Sequence, residues 1–263
     1  MVGTAARMSE KKRSTTPTAR AVAAVSALVA ALVVAFSETV GAGLGTAFLD
    51  LFRADPPLVT SSASEQVHEC GTALFVSDPK AQELIAAPVP GSLDWPAFRR
   101  EHGAAVAGSS VVEVSIQGET ARKITLTGVR FEVERRSRPA GAVFSNPCGD
   151  ALTGRSLTVD LDRTPPAVVA STRDPEGIAG VRDSRPIRFP WTVSVTDPLL
   201  LYIVARTGRC DCTWRATVPW RSGSHTGTIA IDNAGRGYTV IGTERVPYFL
   251  NGGDEGWTEF DPG

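Results

Sequence analysis

Histidine is scarce in this chain. Three residues, His68, His102 and His225, must serve any reaction that needs an imidazole. No H-E-x-x-H, G-x-S-x-G, Walker loop, G-x-G-x-x-G or EF-hand run occurs, so the common zinc-protease, hydrolase-elbow and nucleotide-binding signatures are missing. Cysteine is limited to Cys70, Cys148, Cys210 and Cys212, with no Cys-x2-Cys knuckle of the kind a structural zinc site uses. No cofactor is expected. Lysine is nearly absent as well, and the basic charge is carried by arginine. A basic stripe on the folded part is lacking too. Residues 1–20 hold five basic groups against Glu10, and the remainder is net acidic, which speaks against a nucleic-acid partner.

The one long apolar run begins directly after that basic leader. Ala21 to Phe36 contains no charge and only Ser26 as a polar residue. Counted on to about Gly41 it reaches the ~20 residues that a membrane-spanning helix needs. Basic residues precede it and none follows for thirty-two positions, which puts the N-terminus in the cytoplasm and the body of the chain outside. The expected organisation is a basic cytoplasmic tail (1–20), a transmembrane and juxtamembrane helix (21–53, with residues 21–41 in the membrane), an extracytoplasmic β domain (54–250) and an acidic flexible tail (251–263). A cleaved signal peptide ending near Val40-Gly41-Ala42 is the competing reading, and it too exports the domain. Gly41 and Gly45 give a GxxxG spacing that can pack helices together.

From Gly108 onward the apolar residues alternate. Val112, Val114 and Ile116 form one run, and Ile124 and Leu126 another, before Val129, Phe131 and Val133 continue one position out of step. Gly128 stands at that slip, which predicts a β-bulge. Asp94-Trp95-Pro96 opens a short helix that Gly103 closes, and Asp78-Pro79 is expected to cap another. The longest alternation is Cys210 to Arg221, twelve residues whose even positions read Cys, Cys, Trp, Ala, Val, Trp. It predicts a central strand with one buried face. An even register into His225–Asp232 keeps apolar against apolar: a loop at Ser222-Gly223 would oppose Ala216 to Ile229 and Trp214 to Ile231, and one at Gly223-Ser224 would oppose Val218 to Ile229 and Ala216 to Ile231. Eight to ten strands with Gly and Pro turns predict a mainly β, antiparallel, sandwich-like ectodomain with two short helices.

An even cysteine count in an exported segment reads as structural disulfides. Residues two apart on one strand face hold their Cβ atoms beyond the roughly 3.8 Å a bridge prefers. Cys210 and Cys212 are therefore expected to reach Cys70 and Cys148 rather than each other. Any binding face should lie on the odd, wet side of the strand, where Arg215 and Arg221 could receive an acidic ligand, with His225 in the adjoining hairpin. His225 with Ser222, Ser224 and Asp232 reads as a polar turn rather than a triad, and Asp160 with Asp162 as solvated surface rather than an acid pair. Together these features favour a non-catalytic binding or sensing domain at the cell surface. A hydrolase with a dispersed site, or a structural envelope component, are the alternatives.

The order of basic tail, anchor, Cys148-Gly149 and the Arg209-Cys210-Asp211-Cys212-Thr213-Trp214-Arg215 strand resembles uncharacterised membrane-anchored proteins of actinomycetes that carry a Cys-Asp-Cys-x-Trp-Arg ectodomain. The resemblance covers about residues 20–245 and implies a location rather than an activity. Some of those proteins place a cytoplasmic helix-turn-helix domain before the anchor. Twenty residues cannot form one here, so no direct regulatory role is implied.

Overall fold

The computed structural model describes residues 59–67, 72–89, 93–146, 154–169 and 185–261, all within one unit, Asp55–Gly263. The apolar run over 21–41, its basic leader, Cys70 and Cys148 lie outside the described residues. No helix among the described residues is long and apolar enough to cross a membrane.

The chain runs through β1 (Val59–Gln66), β2 (Ala73–Ser77), α1 (Lys80–Ile85), α2 (Trp95–His102), β3 (Ala105–Ala107) and β4 (Ser109–Gly118). It continues as β5 (Ile124–Leu126), β6 (Arg130–Arg136), β7 (Gly141–Ser145), β8 (Arg155–Asp160), β9 (Ala167–Val169) and β10 (Arg185–Pro186). It closes with β11 (Trp191–Val193), β12 (Leu199–Arg206), β13 (Asp211–Ser222), β14 (His225–Ile231), β15 (Tyr238–Ile241), β16 (Tyr248–Asn251) and β17 (Trp257–Glu259). A six-stranded sheet has the order β1-β4-β12-β8-β10, with β9 on β8. An eleven-stranded sheet has the order β11-β5-β13-β15-β3-β2-β7-β16-β17, with β14 and β6 both on β13.

The fold is mainly β with two short helices, as expected, but the sheets are mixed rather than antiparallel. β8 runs parallel to β12 and to β10, β3 parallel to β15, and β7 parallel to β16. A period-two pattern records which face is buried and carries no strand direction, which is where the expectation failed. The β8–β12 pair has the signature of a buried parallel pair, since Ser156 to Val159 and Leu201 to Ala205 are all buried.

The main core draws on both sheets. Val112, Val114 and Ile116 of β4 and Leu201 and Ile203 of β12 meet Cys212, Trp214, Ala216 and Val218 of β13 and Ile229 and Ile231 of β14. A second cluster seats α2 on the long sheet. Trp95 stacks on Phe98 at 5.2 Å, donates its indole N–H to the Thr72 carbonyl at 2.8 Å, and lies near Trp257. Asp94 caps α2 by accepting from Ala97 N at 2.9 Å, and Gly103 ends it at φ 60°. Asp78 does not cap α1. Pro79 occupies that position, and Asp78 accepts from the Gln82 amide instead. Residues 251–261, expected to trail away, fold back as β17 against β16 because Trp257 packs against Phe144 at 4.8 Å.

β13 holds four neighbours. β15 and β14 share one edge of it, and β6 and β5 the other. Leu126 opposes Trp220 and Arg130 opposes Thr217, so three residues (127–129) face two (Val218 and Pro219). The bulge read from Gly128 is therefore present as a one-residue register step. Pro219 sits opposite that step, where its missing N–H interrupts no ladder, and its carbonyl accepts from Thr127 N at 2.9 Å. The hairpin turns at Gly223-Ser224, with Gly223 at φ 59°, and opposes Val218 to Ile229 and Ala216 to Ile231. Gly108, at φ 70°, lies where the chain passes from β3 in the long sheet to β4 in the short one.

Candidate functional site

The wet face of β13 carries Asp211, Thr213, Arg215, Thr217, Pro219 and Arg221. Directly opposed residues share a face, so Asp211 stands beside Arg136, Thr213 beside Glu134 and Arg215 beside Glu132. This half of the face neutralises itself. Arg136, hydrogen-bonded to Glu134 at 2.6 Å with Arg215 nearby, holds the Glu134 carboxyl below the usual carboxylate range.

Arg215 is already engaged. Its Nη2 donates to the carbonyls of Gly235 at 3.0 Å and Arg236 at 3.3 Å, and its Nε to Gly235 at 3.2 Å. Those carbonyls belong to the β14–β15 turn, where Asn233, Ala234, Gly235 and Gly237 all have positive φ. A left-handed alanine costs roughly 1–2 kcal/mol, and the guanidinium holds the turn that contains it. Gly237 is required there, since a Cβ would lie 2.6 Å from Thr213 Cγ2.

Arg221 is different. It is exposed and makes no hydrogen bond or ion pair among the described residues, and its cross-strand neighbours are Thr125 and Thr226. Thr192 opposes Thr125, so one row runs Thr192, Thr125, Arg221, Thr226 across four strands. Six residues of strand separate Arg215 from Arg221, about 20 Å, so the two do not converge. His225 leaves the group altogether. It opposes Ser222, which is buried and donates to the Lys123 carbonyl at 2.9 Å, so His225 lies on the face away from Arg221. Asp232 stands past the far end of β14, and no triad forms.

The densest polar cluster lies at the head of β13. Asp162 turns inward and accepts from Thr207 Oγ1 at 2.7 Å and Gly208 N at 2.8 Å, with Arg209 Nε at 3.8 Å. Thr207 Oγ1 accepts in turn from Cys210 N at 3.2 Å and Arg209 N at 3.3 Å. Gly108 O accepts from Thr207 N, and Cys210 O from Gly242 N. Four chain segments from both sheets are thereby tied at one corner. Asp160 Oδ2 pairs with Arg163 at 3.0 Å and its Oδ1 accepts from Asp162 N at 3.0 Å, so the two carboxylates form no acid pair. Asp162 and Thr207 carry no motif. Only the turn residues around Gly208 hint at them.

Cys210 is joined to Cys212, contrary to the expectation that each would reach a distant partner. Their Cα atoms are 5.3 Å apart, against about 6.6 Å for two residues of extended strand. The reason is local. β13 begins at Asp211, so Cys210, although buried like Cys212, lies in the segment ahead of the strand. No described cysteine is free, so none offers the thiolate that nucleophilic or redox chemistry requires. The single proton of the Thr207 hydroxyl is directed at Asp162, and that side chain is buried. The corner therefore works as a clamp. Among the described residues no group of three or more His, Cys, Asp and Glu is placed to hold a metal.

No protein-family model matches the chain, and the comparisons with curated proteins and with solved structures found no match either.

Proposed function

We propose that the chain is a single-pass membrane protein whose sandwich-like β domain stands on the extracytoplasmic side and binds or senses a ligand at the cell surface without catalysis. The observation that carries this reading is the pairing of Cys210 with Cys212, because disulfides persist in oxidising compartments and are rare in the cytosol. The basic leader and the apolar run from Ala21 support the anchor, and the order of these features fits the resemblance to membrane-anchored actinomycete proteins. The binding surface is the threonine row around Arg221. An exposed guanidinium without a counter-ion among the described residues, flanked by hydroxyls, suits an anionic or carboxylate-bearing ligand.

Protease applied to intact cells tests the location. Digestion of the domain down to a membrane-held N-terminal fragment is expected. A protected full-length chain that carries free thiols at Cys210 and Cys212 would overturn the reading.

A further inference from the structure

The six-stranded sheet ends in β1, and among the described residues no strand pairs with its outer edge. Exposed sheet edges are ordinarily blunted by shortness, charge, proline or a bulge. Most of the other free edges among the described residues follow that rule. β10 is two residues long and contains Pro186, and β9, β11 and β17 have three residues each. β6 carries Arg130, Glu132, Glu134, Arg135 and Arg136. β14 is the exception, with seven residues that hold no Asp, Glu, Lys, Arg or proline, but Gly227 interrupts it. β1 has none of these devices. It pairs with β4 over eight residues without a slip, Thr60 to Ser64 are exposed, and Val59 to Ser64 bear no charge. Its one charge, Glu65, is turned onto its own chain, to Arg99 at 2.7 Å and Ser110 at 3.1 Å. Half of the backbone N–H and C=O groups of such a strand point away from β4.

We infer that β1 pairs antiparallel with β1 of a second copy of this chain, joining two short sheets into one continuous sheet across a two-fold axis. Opposed residues must share a face, which requires pairs of equal parity and allows a register centred on Ser62. Ser62 then opposes Ser62, Ser61 opposes Ala63, Thr60 opposes Ser64, and Val59 opposes Glu65. No like charges meet, and small side chains let the backbones approach. An isologous contact of this kind closes on itself and leaves no further edge to propagate.

An eight-residue edge is smaller than the ~800 Å² per partner of a standard interface. The pairing therefore rests partly on the membrane-anchored reading, since a shared tether raises the effective concentration of the second copy. The spacing is compatible. Five residues (54–58) separate the proposed anchor from β1 and reach about 17 Å. The two Val59 residues would stand about 20 Å apart across the axis, three residues of strand on either side, which is within the combined reach of two such linkers.

Oxidative cross-linking of the full chain in whole cells, before fractionation, tests this. Ser62→Cys is expected to give a reducible species of twice the 27.8 kDa chain mass. Thr228→Cys on β14 and Val195→Cys on an exposed loop are expected to give none, and adding Ser64→Lys to Ser62→Cys should abolish the product. No product from Ser62→Cys at wild-type abundance overturns the inference, as do equal yields at all three positions. Fractionation of the same samples separates the two readings. A chain that cross-links at Ser62 but is absent from the membrane fraction sinks the anchor and leaves the pairing standing. A membrane-bound chain without the cross-link does the reverse.

Discussion

The corner at the head of β13 makes a quantitative prediction for Asp162→Ala. The substitution removes the acceptor of the Thr207 hydroxyl at 2.7 Å and of Gly208 N at 2.8 Å, while the side chain of Asp162 is only 16% exposed. Hydrogen bonds to a charged group contribute about 1.5–3 kcal/mol each. Water entering the partly open corner recovers some of that, leaving an expected loss of about 3 kcal/mol. The contact with Arg209 adds little, because that arginine is 65% exposed. For a domain of this size 1 kcal/mol lowers Tm by roughly 2–4 °C, so the midpoint should fall by about 6–12 °C. Thr207→Val, which keeps the volume but strands Cys210 N and Arg209 N, should lose about 2 kcal/mol. The double variant should lose about 1.5 kcal/mol less than the sum, as partners in one network do. Urea unfolding followed by tryptophan fluorescence reads all three. An Asp162→Ala variant within 0.5 kcal/mol of wild type (a magnitude ordinary for uninvolved surface sites) would refute the clamp, as would additive losses.

The two arginines of the wet face should part company. Arg215→Ala is expected to lower stability by about 1–2 kcal/mol by releasing three contacts to the Gly235 and Arg236 carbonyls, whereas Arg221→Ala should leave the urea midpoint unchanged, and equal losses would contradict their assignment. Gly227→Ala should cost about 1 kcal/mol and shift tryptophan emission, because the new Cβ meets Trp220 at 2.5 Å; an unchanged spectrum would refute that packing. Burial, with Glu65 and Asp232 nearby, pushes the Tyr238 hydroxyl above its ordinary value of about 10. The neutral phenol is thus favoured in the fold, and its contribution is intact below pH ~10 and lost as the pH rises through the folded value. Tyr238→Phe should flatten the decline of the urea midpoint above pH ~10, and an identical decline would sink the assignment. Non-reducing peptide mapping of exported protein should find Cys210 with Cys212 and Cys70 with Cys148. The second pair are the two cysteines left over, and they lie four steps beyond the Leu74–Phe144 pair when the β2–β7 register is continued in number; a Cys70–Cys210 peptide would refute the pairing.

Local signals were legible wherever one residue dictates its own backbone. Asp94 with Gly103 bounded α2, Gly128 located the bulge, and the hairpin's apolar residues fixed an even register, while the choice of Gly223-Ser224 over Ser222-Gly223 as its loop came only with the structure. The buried face of β13 followed from alternation over Cys212 to Val218. What failed depended on where strands begin and on what lies across from them. Cys210 fits the alternation in burial, but it precedes β13 and its Cα lies 5.3 Å from that of Cys212, so the spacing of a fully extended strand, on which the disulfide expectation rested, does not hold there. The parallel β8–β12 pairing joins segments distant in sequence and leaves no trace in period-two patterning. His225 is a different case. The hairpin parity that aligns Val218 with Ile229 also puts every odd residue of β14 on the buried face, so its separation from Arg221 was implicit in the register.

A ligand must find groups whose bonding capacity is not already used within the fold. Asp162 and Thr207 hold each other, Cys210 and Cys212 are joined, and Arg215 serves the turn after β14. Two such resources among the described residues stand out. One is the guanidinium of Arg221, with five N–H donors and only threonines beside it in its row. The other is the outward backbone of β1. They differ in kind, because a charge selects a ligand by sign, whereas an open strand edge selects by directional pairing and is nearly blind to side chains. They also lie on different sheets, so each can be removed without the other. Arg221→Ala should therefore leave the Ser62 cross-link intact, and Ser64→Lys should leave binding of an anionic ligand at Arg221 intact. Loss of both functions from either change would mean that one surface, rather than two, carries the biology of this domain.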